Sequence, residues 1–286
     1  MFGEDRILVG SGGIGTALIE RGLPIGVPSE LWTKERAEAV AEVACEYSDA
    51  GADYVLTNTF GANKLRLAGV GLEDEVADLN VEAVRLARMN VRADCRVLAS
   101  VGPCGGNSTR SDCQDAYREQ VASLVDAGID GFVVETICVG DEGASAVREI
   151  KAVCELPVAV SFAVFEKDDQ LETVEGEPLV DLVNRFSDCG VGALGVNCVV
   201  AGLAVRALTE IAEGTAVPLI VHPNAGIPVS KDAEILYPMG ACEIVDSLQP
   251  LLNLPVGMIG GCCGTGPEYV AAIRARIDAL ETHRQV

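Results

Sequence analysis

Two adjacent cysteines in a glycine frame, Gly260-Gly261-Cys262-Cys263-Gly264-Thr265, are the residues of this chain best suited to chemistry. The apolar run 254–259 ahead of them reads as a short buried strand, and Pro267 behind them can open a helix. Both thiols therefore fall where a strand ends and a helix begins. Glycines there permit φ > 0 and a close approach to a ligand. Side chains one residue apart normally diverge, and a kinked glycine loop is one way to aim both sulfurs at a single point. A third thiol has the same context, because 191–196 reads as a strand and Asn197-Cys198 follows at its end. Cys198, Cys262 and Cys263 converging from two strand ends would make a zinc site with one position left open. The plainer reading of a free cysteine is a small buried hydrophobe. Of the 11 cysteines, the other eight are assigned to it.

Three thiolates neutralise the charge of a zinc ion and make it a poor Lewis acid for hydrolysis. They suit thiol activation instead, since a substrate thiol entering the fourth position would lose its proton on binding. A free thiol of pKa about 8.5 is only about 3% thiolate at pH 7. The chemistry implied is attack by an activated thiol on an alkyl donor.

An amino-acid thiol would find partners at other candidate positions. Glu135, at a strand end, can accept hydrogen bonds from an α-ammonium. The loop Ser11-Gly12-Gly13-Ile14-Gly15-Thr16 can offer backbone N–H groups to a carboxylate. It lacks the G-x-G-x-x-G spacing and the acidic partner of a dinucleotide-binding turn. Asn58 and Asn197 join the substrate-binding set, and Asn224 can fill the fourth zinc position when substrate is absent. Each has a plainer reading. Glu135 can be a structural or surface carboxylate. An asparagine in the turn Pro223-Asn224-Ala225-Gly226 is commonly structural, and Asn58, Thr59 and Asn63 share that ambiguity. His222 reads as a hydrogen-bonding group, since the thiolates already suffice as ligands.

The elements that must position these residues follow from periodicity. Strands are expected at 6–10, 53–57, 96–101, 131–134, 157–164, 191–196, 217–221 and 256–259. Helices are expected at 17–21, 33–50, 72–91, 114–127, 141–154, 179–189, 203–213, 241–251 and 268–280, with a loop or hairpin at 166–177 and a long loop at 227–240. Strands alternating with helices imply a parallel sheet. Eight such units imply an α/β fold of the (β/α)8 type, a TIM-type barrel, with 1–286 as a single domain; an open doubly wound sheet is the runner-up. Polar and glycine-rich residues collect after strands one, two, three, four, six, seven and eight. In a barrel those C-terminal ends form one rim, where the active site sits.

Net charge is −22, from 43 acidic against 21 basic residues. Nucleic acid and an anionic membrane surface are therefore excluded as partners. No apolar run approaches the 18 residues of a membrane span. The acidic start Met1-Phe2-Gly3-Glu4-Asp5-Arg6 runs straight into a strand and does not read as a signal peptide. A cytoplasmic protein is expected, with its 11 cysteines reduced.

The cysteine motif at 260–265, Gly195-Val196-Asn197-Cys198 and Leu56-Thr57-Asn58-Thr59-Phe60-Gly61-Ala62-Asn63 together resemble the homocysteine S-methyltransferase family. Ser100-Val101-Gly102-Pro103, Val134-Glu135-Thr136 and Pro223-Asn224-Ala225-Gly226 add to the resemblance. It spans about residues 6–281 and is nearest to the homocysteine-binding module of cobalamin-dependent methionine synthase. The resemblance implies a (β/α)8 barrel, zinc, and methyl transfer to homocysteine giving methionine. It implies Cys198, Cys262 and Cys263 as zinc ligands and Asn224 as the occupant of the open position before homocysteine binds. It implies Glu135 as the carboxylate on the substrate ammonium, with Gly12, Gly13 and Ile14 around the amino-acid end. Ser11 stands where family members commonly carry aspartate, and His222 where near relatives often have glutamate. The alternatives are the same chemistry on a different thiol, or a non-catalytic barrel that binds a corrinoid protein or stores zinc. No folate- or cobalamin-binding domain is evident in these 286 residues, so a small donor or a separate corrinoid protein is expected to bring the methyl group.

Overall fold

The computed structural model describes residues 2, 6–105, 109–231 and 234–284. Gly106 in the glycine-rich turn after the third strand, part of the long loop at 227–240, and most of the acidic start Met1–Arg6 lie outside these.

Eight parallel strands form one sheet: β1 (Leu8–Val9), β2 (Tyr54–Leu56), β3 (Arg96–Val101), β4 (Gly131–Ile137), β5 (Val158–Phe162), β6 (Ala193–Val200), β7 (Leu219–Asn224) and β8 (Val256–Ile259). From β2 to β8 each pairs with the next in chain order, and β8 pairs with β1. The ring is joined between β1 and β2 by a parallel bridge, Gly10 to Tyr54. The Ser11 N–H donates to the Tyr54 carbonyl at 3.0 Å, and the Asp53 N–H to the Val9 carbonyl at 2.7 Å. The expected (β/α)8 barrel is thus the observed fold.

Strands covered on both faces read as continuous apolar runs, and the burial follows. One cluster fills the space between sheet and helices. A second fills the barrel itself, with Leu8, Tyr54, Leu56, Leu98, Val133, Ala159, Ala193, Ile220 and Met258 pointing inward and Phe2 joining them. Gly10 is needed here, because a Cβ would lie 2.4 Å from the Tyr54 ring. The helix Ala37–Asp49 shows how the outer layer is laid down. Val40, Val43, Ala44 and Tyr47 recur every three or four residues and are buried. Gly51, at φ 103, ends the element.

Three differences from the expected boundaries bear on the site. The strands β4, β6 and β7 run on through Glu135-Thr136, Asn197-Cys198 and His222-Pro223-Asn224, residues expected to lie past the strand ends. Both β4 and β6 achieve this by register shifts, between Val134 and Ile137 and between Asn197 and Val199. A bulge re-aims a side chain without ending the strand. The expected loop at 227–240 contains an antiparallel hairpin, Val229–Lys231 with Glu234–Leu236. Two three-residue strands are too short to show a periodicity. The expected helix 33–50 is two helices, Trp32–Glu35 and Ala37–Asp49, broken at Arg36, whose φ is −141 and whose guanidinium lies 5.0 Å over the Trp32 ring. Among the described residues no helix is long and apolar enough to cross a membrane.

Candidate metal centre and its cavity

The C-terminal rim opens onto a cavity of about 310 Å³. Cys198, Cys262 and Cys263 lie at one part of its lining; Glu135 and Thr136, Asn58, and the Gly12–Thr16 loop supply other walls. The three sulfurs lie within 4.8 Å of one another, and those of Cys262 and Cys263 are 4.0 Å apart.

The paired cysteines are placed by backbone. Gly261 N–H donates to the Ser11 carbonyl at 2.9 Å, Gly13 N–H to the Thr265 carbonyl at 3.0 Å, and Gly264 N–H to Thr16 Oγ1 at 3.1 Å. On the other side Cys262 N–H donates to the Pro223 carbonyl, and Ala225 N–H to the Cys263 carbonyl. The cysteine loop is therefore sewn to the loops after β1 and β7. The glycines at 12 and 13 serve this approach. A Cβ at Gly13 would lie 2.5 Å from the Cys262 carbonyl oxygen, and one at Gly12 2.3 Å from that of Thr265.

Cys198 is placed by a strained strand. It sits on the β6 bulge at φ 58, and Thr136 on the neighbouring β4 bulge has φ 59. Such values are uncommon for a residue with a Cβ, and for a β-branched threonine a genuine outlier; each costs on the order of 1–3 kcal/mol. Asn197 holds both bulges. Its Oδ1 accepts from the Thr136 N–H at 2.7 Å and from Ser161 Oγ at 2.9 Å. Its Nδ2 donates to Thr136 Oγ1 at 2.7 Å and to Glu135 Oε2 at 3.3 Å. Those four bonds use all the amide can make.

Glu135 is buried and takes a hydrogen bond from Ser100 Oγ on Oε1 at 2.5 Å. Burial pushes its pKa up to about 7; the Ser100 bond opposes the rise and the Cys198 charge adds to it. Among the thiols, Cys198 is held low because Cys262 and Cys263 donate to it, and those two are pushed up in return. The trio titrates as a unit, favouring one thiolate that two thiols solvate.

Of the sequence-derived candidates, Gly12, Gly13, Ile14, Asn58, Glu135, Cys198, Cys262 and Cys263 line the cavity together. Ser11, Asn197 and Asn224 are not part of its lining. Ser11 is buried, and its hydroxyl accepts the Leu56 N–H at 3.1 Å across the β1–β2 junction. Asn197 lies beneath the rim as described. Asn224 lies behind the sulfurs: its Oδ1 accepts the Cys263 N–H at 3.1 Å, and its Nδ2 is 3.9 Å from the Cys198 sulfur. The Asn58 amide donates to the Ser29 carbonyl and to Thr33 Oγ1, while Asn63 caps the helix Lys64–Leu67. His222 points into the barrel, with Nε2 2.7 Å from the Tyr54 hydroxyl. Burial lowers its pKa to about 4, so the ring is neutral.

Ser100 and Ser161 were missed as site-builders, and the loop residue Thr16 was read for its backbone, not for its hydroxyl. Each of the two serines is a lone hydroxyl in an apolar run near a strand's C-terminal end. That placement was the available signal.

A family model described as homocysteine S-methyltransferase matches residues 8–277. The chain is 30% identical over 309 residues to the homocysteine S-methyltransferase of Escherichia coli, covering 96% of this chain and 97% of that protein. It is 29% identical over 300 residues to the methionine synthase of Mycobacterium leprae, covering 96% of this chain but 24% of that protein. The chain thus spans about a quarter of the length of that relative. Among solved structures, the metallated form of the homocysteine methyltransferase MmuM from Escherichia coli superposes with a TM-score of 0.81 at 27% identity, covering 96% of this chain and 97% of that one.

Proposed function

The chain belongs to the homocysteine S-methyltransferase family, and from that premise we propose that it is a zinc-dependent thiol S-methyltransferase that converts homocysteine to methionine. The observation that carries the proposal is the convergence of Cys198, Cys262 and Cys263 on one point of the cavity. Tetrahedral zinc with sulfur at about 2.3 Å sets neighbouring sulfurs roughly 3.8 Å apart. The 4.0 Å between Cys262 and Cys263 fits that spacing, and the set leaves a fourth position for substrate. Zinc held there supplies the charge that keeps a substrate thiol ionised at neutral pH.

The remaining work falls to the chain. Glu135, as a carboxylate, accepts hydrogen bonds from the substrate ammonium and fixes which end of the amino acid faces the sulfurs. Ser100 and Asn197 hold that carboxylate in place. The Gly12–Thr16 loop, also on the cavity, takes the carboxylate end through backbone N–H groups. Leu56 and Phe60 give the cavity an apolar wall, which excludes water from the sulfur that attacks the methyl group. Asn224 positions the cysteine loop through the Cys263 N–H; its amide, 3.9 Å from the Cys198 sulfur, would have to release that N–H to enter the fourth position when substrate is absent.

One observation favours a second reading, the same chemistry on another thiol. Residue 11 is a serine whose hydroxyl accepts the Leu56 N–H, so position 11 gives the ammonium no second carboxylate beside Glu135.

Zinc-edge X-ray absorption with and without homocysteine tests the proposal. The expected change is from three sulfur ligands and one lighter atom to four sulfurs. Three sulfurs unmoved by homocysteine but moved by a thiol lacking the amino group would transfer the activity to the second reading. Absence of zinc from reduced, chelator-free protein would defeat both.

A further inference from the structure

Two clusters of metal-ligating side chains occur among the described residues, and the second shares no residue with the cavity above. It consists of Cys104, Cys113 and Glu142, whose ligand atoms also lie within 4.8 Å of one another. We propose that these three side chains form a second binding site for a soft divalent cation of the zinc class.

The three come from three elements. Cys104 follows β3, Cys113 lies in the first turns of the helix Arg110–Asp126, and Glu142 lies in the first turn of the helix Gly140–Val153. Their convergence is enforced by bonds the metal does not make. Glu142 Oε1 accepts the Cys104 N–H at 2.6 Å and the Tyr117 hydroxyl at 3.3 Å. The single hydrogen of that hydroxyl is shared between the carboxylate and the Gly102 carbonyl, 3.2 Å away. The carboxylate is thus tied to the segment that carries one of the sulfurs. Thr109 and Asp112 form a reciprocal capping box at the start of the second element. That box fixes where the helix begins and therefore where Cys113 points.

A single buried cysteine is packing. Two sulfurs and an anchored carboxylate in one place are a donor set. Two thiolates and a carboxylate select zinc-like ions over magnesium or calcium, which prefer all-oxygen shells. The site is also reachable. A separate cavity of about 220 Å³ is lined by Cys113 and Glu142, together with Arg110, Asp141 and Ser145. Solvent or a small ligand in it can complete a tetrahedral shell, and the Arg110 cation on its wall offsets the net negative charge that the donor set leaves.

The test removes the first centre to expose the second. Reduced protein carrying Cys198→Ser, Cys262→Ser and Cys263→Ser is titrated with cadmium, following the ultraviolet thiolate-to-cadmium band. One equivalent is expected to bind. Adding Cys113→Ser should abolish the band. Glu142→Gln, which keeps an acceptor for Cys104 and Tyr117, should weaken binding about tenfold or more, the scale seen when a ligand's support is lost. Far-ultraviolet circular dichroism establishes that each variant is folded. Failure of the folded triple variant to take up cadmium overturns the proposal, as does a band that survives Cys113→Ser. Neither outcome touches the methyl-transfer reading, which concerns the other three cysteines.

Discussion

The two sides of the cavity are built in opposite ways. The cysteine loop at 260–265 is held mainly by backbone: main-chain groups of Ser11, Gly13, Pro223 and Ala225 pin it, glycines make the approach possible, and the Thr16 and Asn224 side chains each accept one further N–H. The wall at the ends of β4 and β6 is held chiefly by one side chain. Asn197 ties two bulges, two residues at positive φ and the Glu135 carboxylate. A site held by backbone tolerates side-chain changes nearby. A site held by one amide concentrates its stability in that residue.

The comparison can be broken most directly at the sulfurs. Cys262→Ala should lose bound zinc and methyl transfer to background while the melting temperature of the zinc-free protein stays near that of the parent, because the loop is held by main-chain bonds. Retained zinc and turnover would remove the site assignment. The next effect is Asn197→Ala. Its buried partners lose their bonds, each worth about 1–3 kcal/mol when left unmade, so a loss on the order of 3 kcal/mol or more in denaturant unfolding is expected. Unchanged stability would show that the bulges do not depend on this amide.

Glu135 gives a subtler contrast, in pH. Its folded pKa of about 7 lies above the ordinary carboxylate value. The native state therefore binds the extra proton, and this contribution to stability is present at acid pH and lost as pH rises through about 7. Ammonium binding needs the ionised form and should strengthen over the same interval. KM for homocysteine should fall between about pH 6 and 8 relative to that for a thiol without an amino group, a ratio that cancels ionisation of the thiol itself. Glu135→Gln should flatten the ratio; a ratio already flat in the parent would separate Glu135 from the ammonium. The smallest effect is at Ser11. Ser11→Ala strands the buried Leu56 N–H and should cost about 1–3 kcal/mol of stability with KM little changed. A large rise in KM without loss of stability would return Ser11 to the substrate.

The same division explains what could be read in the chain. The barrel was legible because each strand is a separate apolar run and each helix repeats at its own period. The cysteine loop was legible because its glycines and sulfurs are contiguous. The ends of β4, β6 and β7 were placed too early, since Glu135-Thr136, Asn197-Cys198 and His222-Pro223-Asn224 look like loop residues; in β4 and β6 a bulge lets them stay in the strand. Asn197 itself was read as a substrate contact, a natural reading for an amide beside a candidate ligand, and it faces Thr136 and Ser161 instead.

The sequence by itself determined the alternation that makes a barrel and the residue types that make a thiol site, because both are carried by local pattern and composition. The tertiary structure decided which polar side chains face the cavity and which face each other. Ser11 and Glu135 are both polar residues at strand ends, yet one closes the β1–β2 junction and the other lines the cavity. That choice depends on the register of the neighbouring strand and on a bulge of one residue, and neither leaves a mark on the sequence of the strand that bears the side chain.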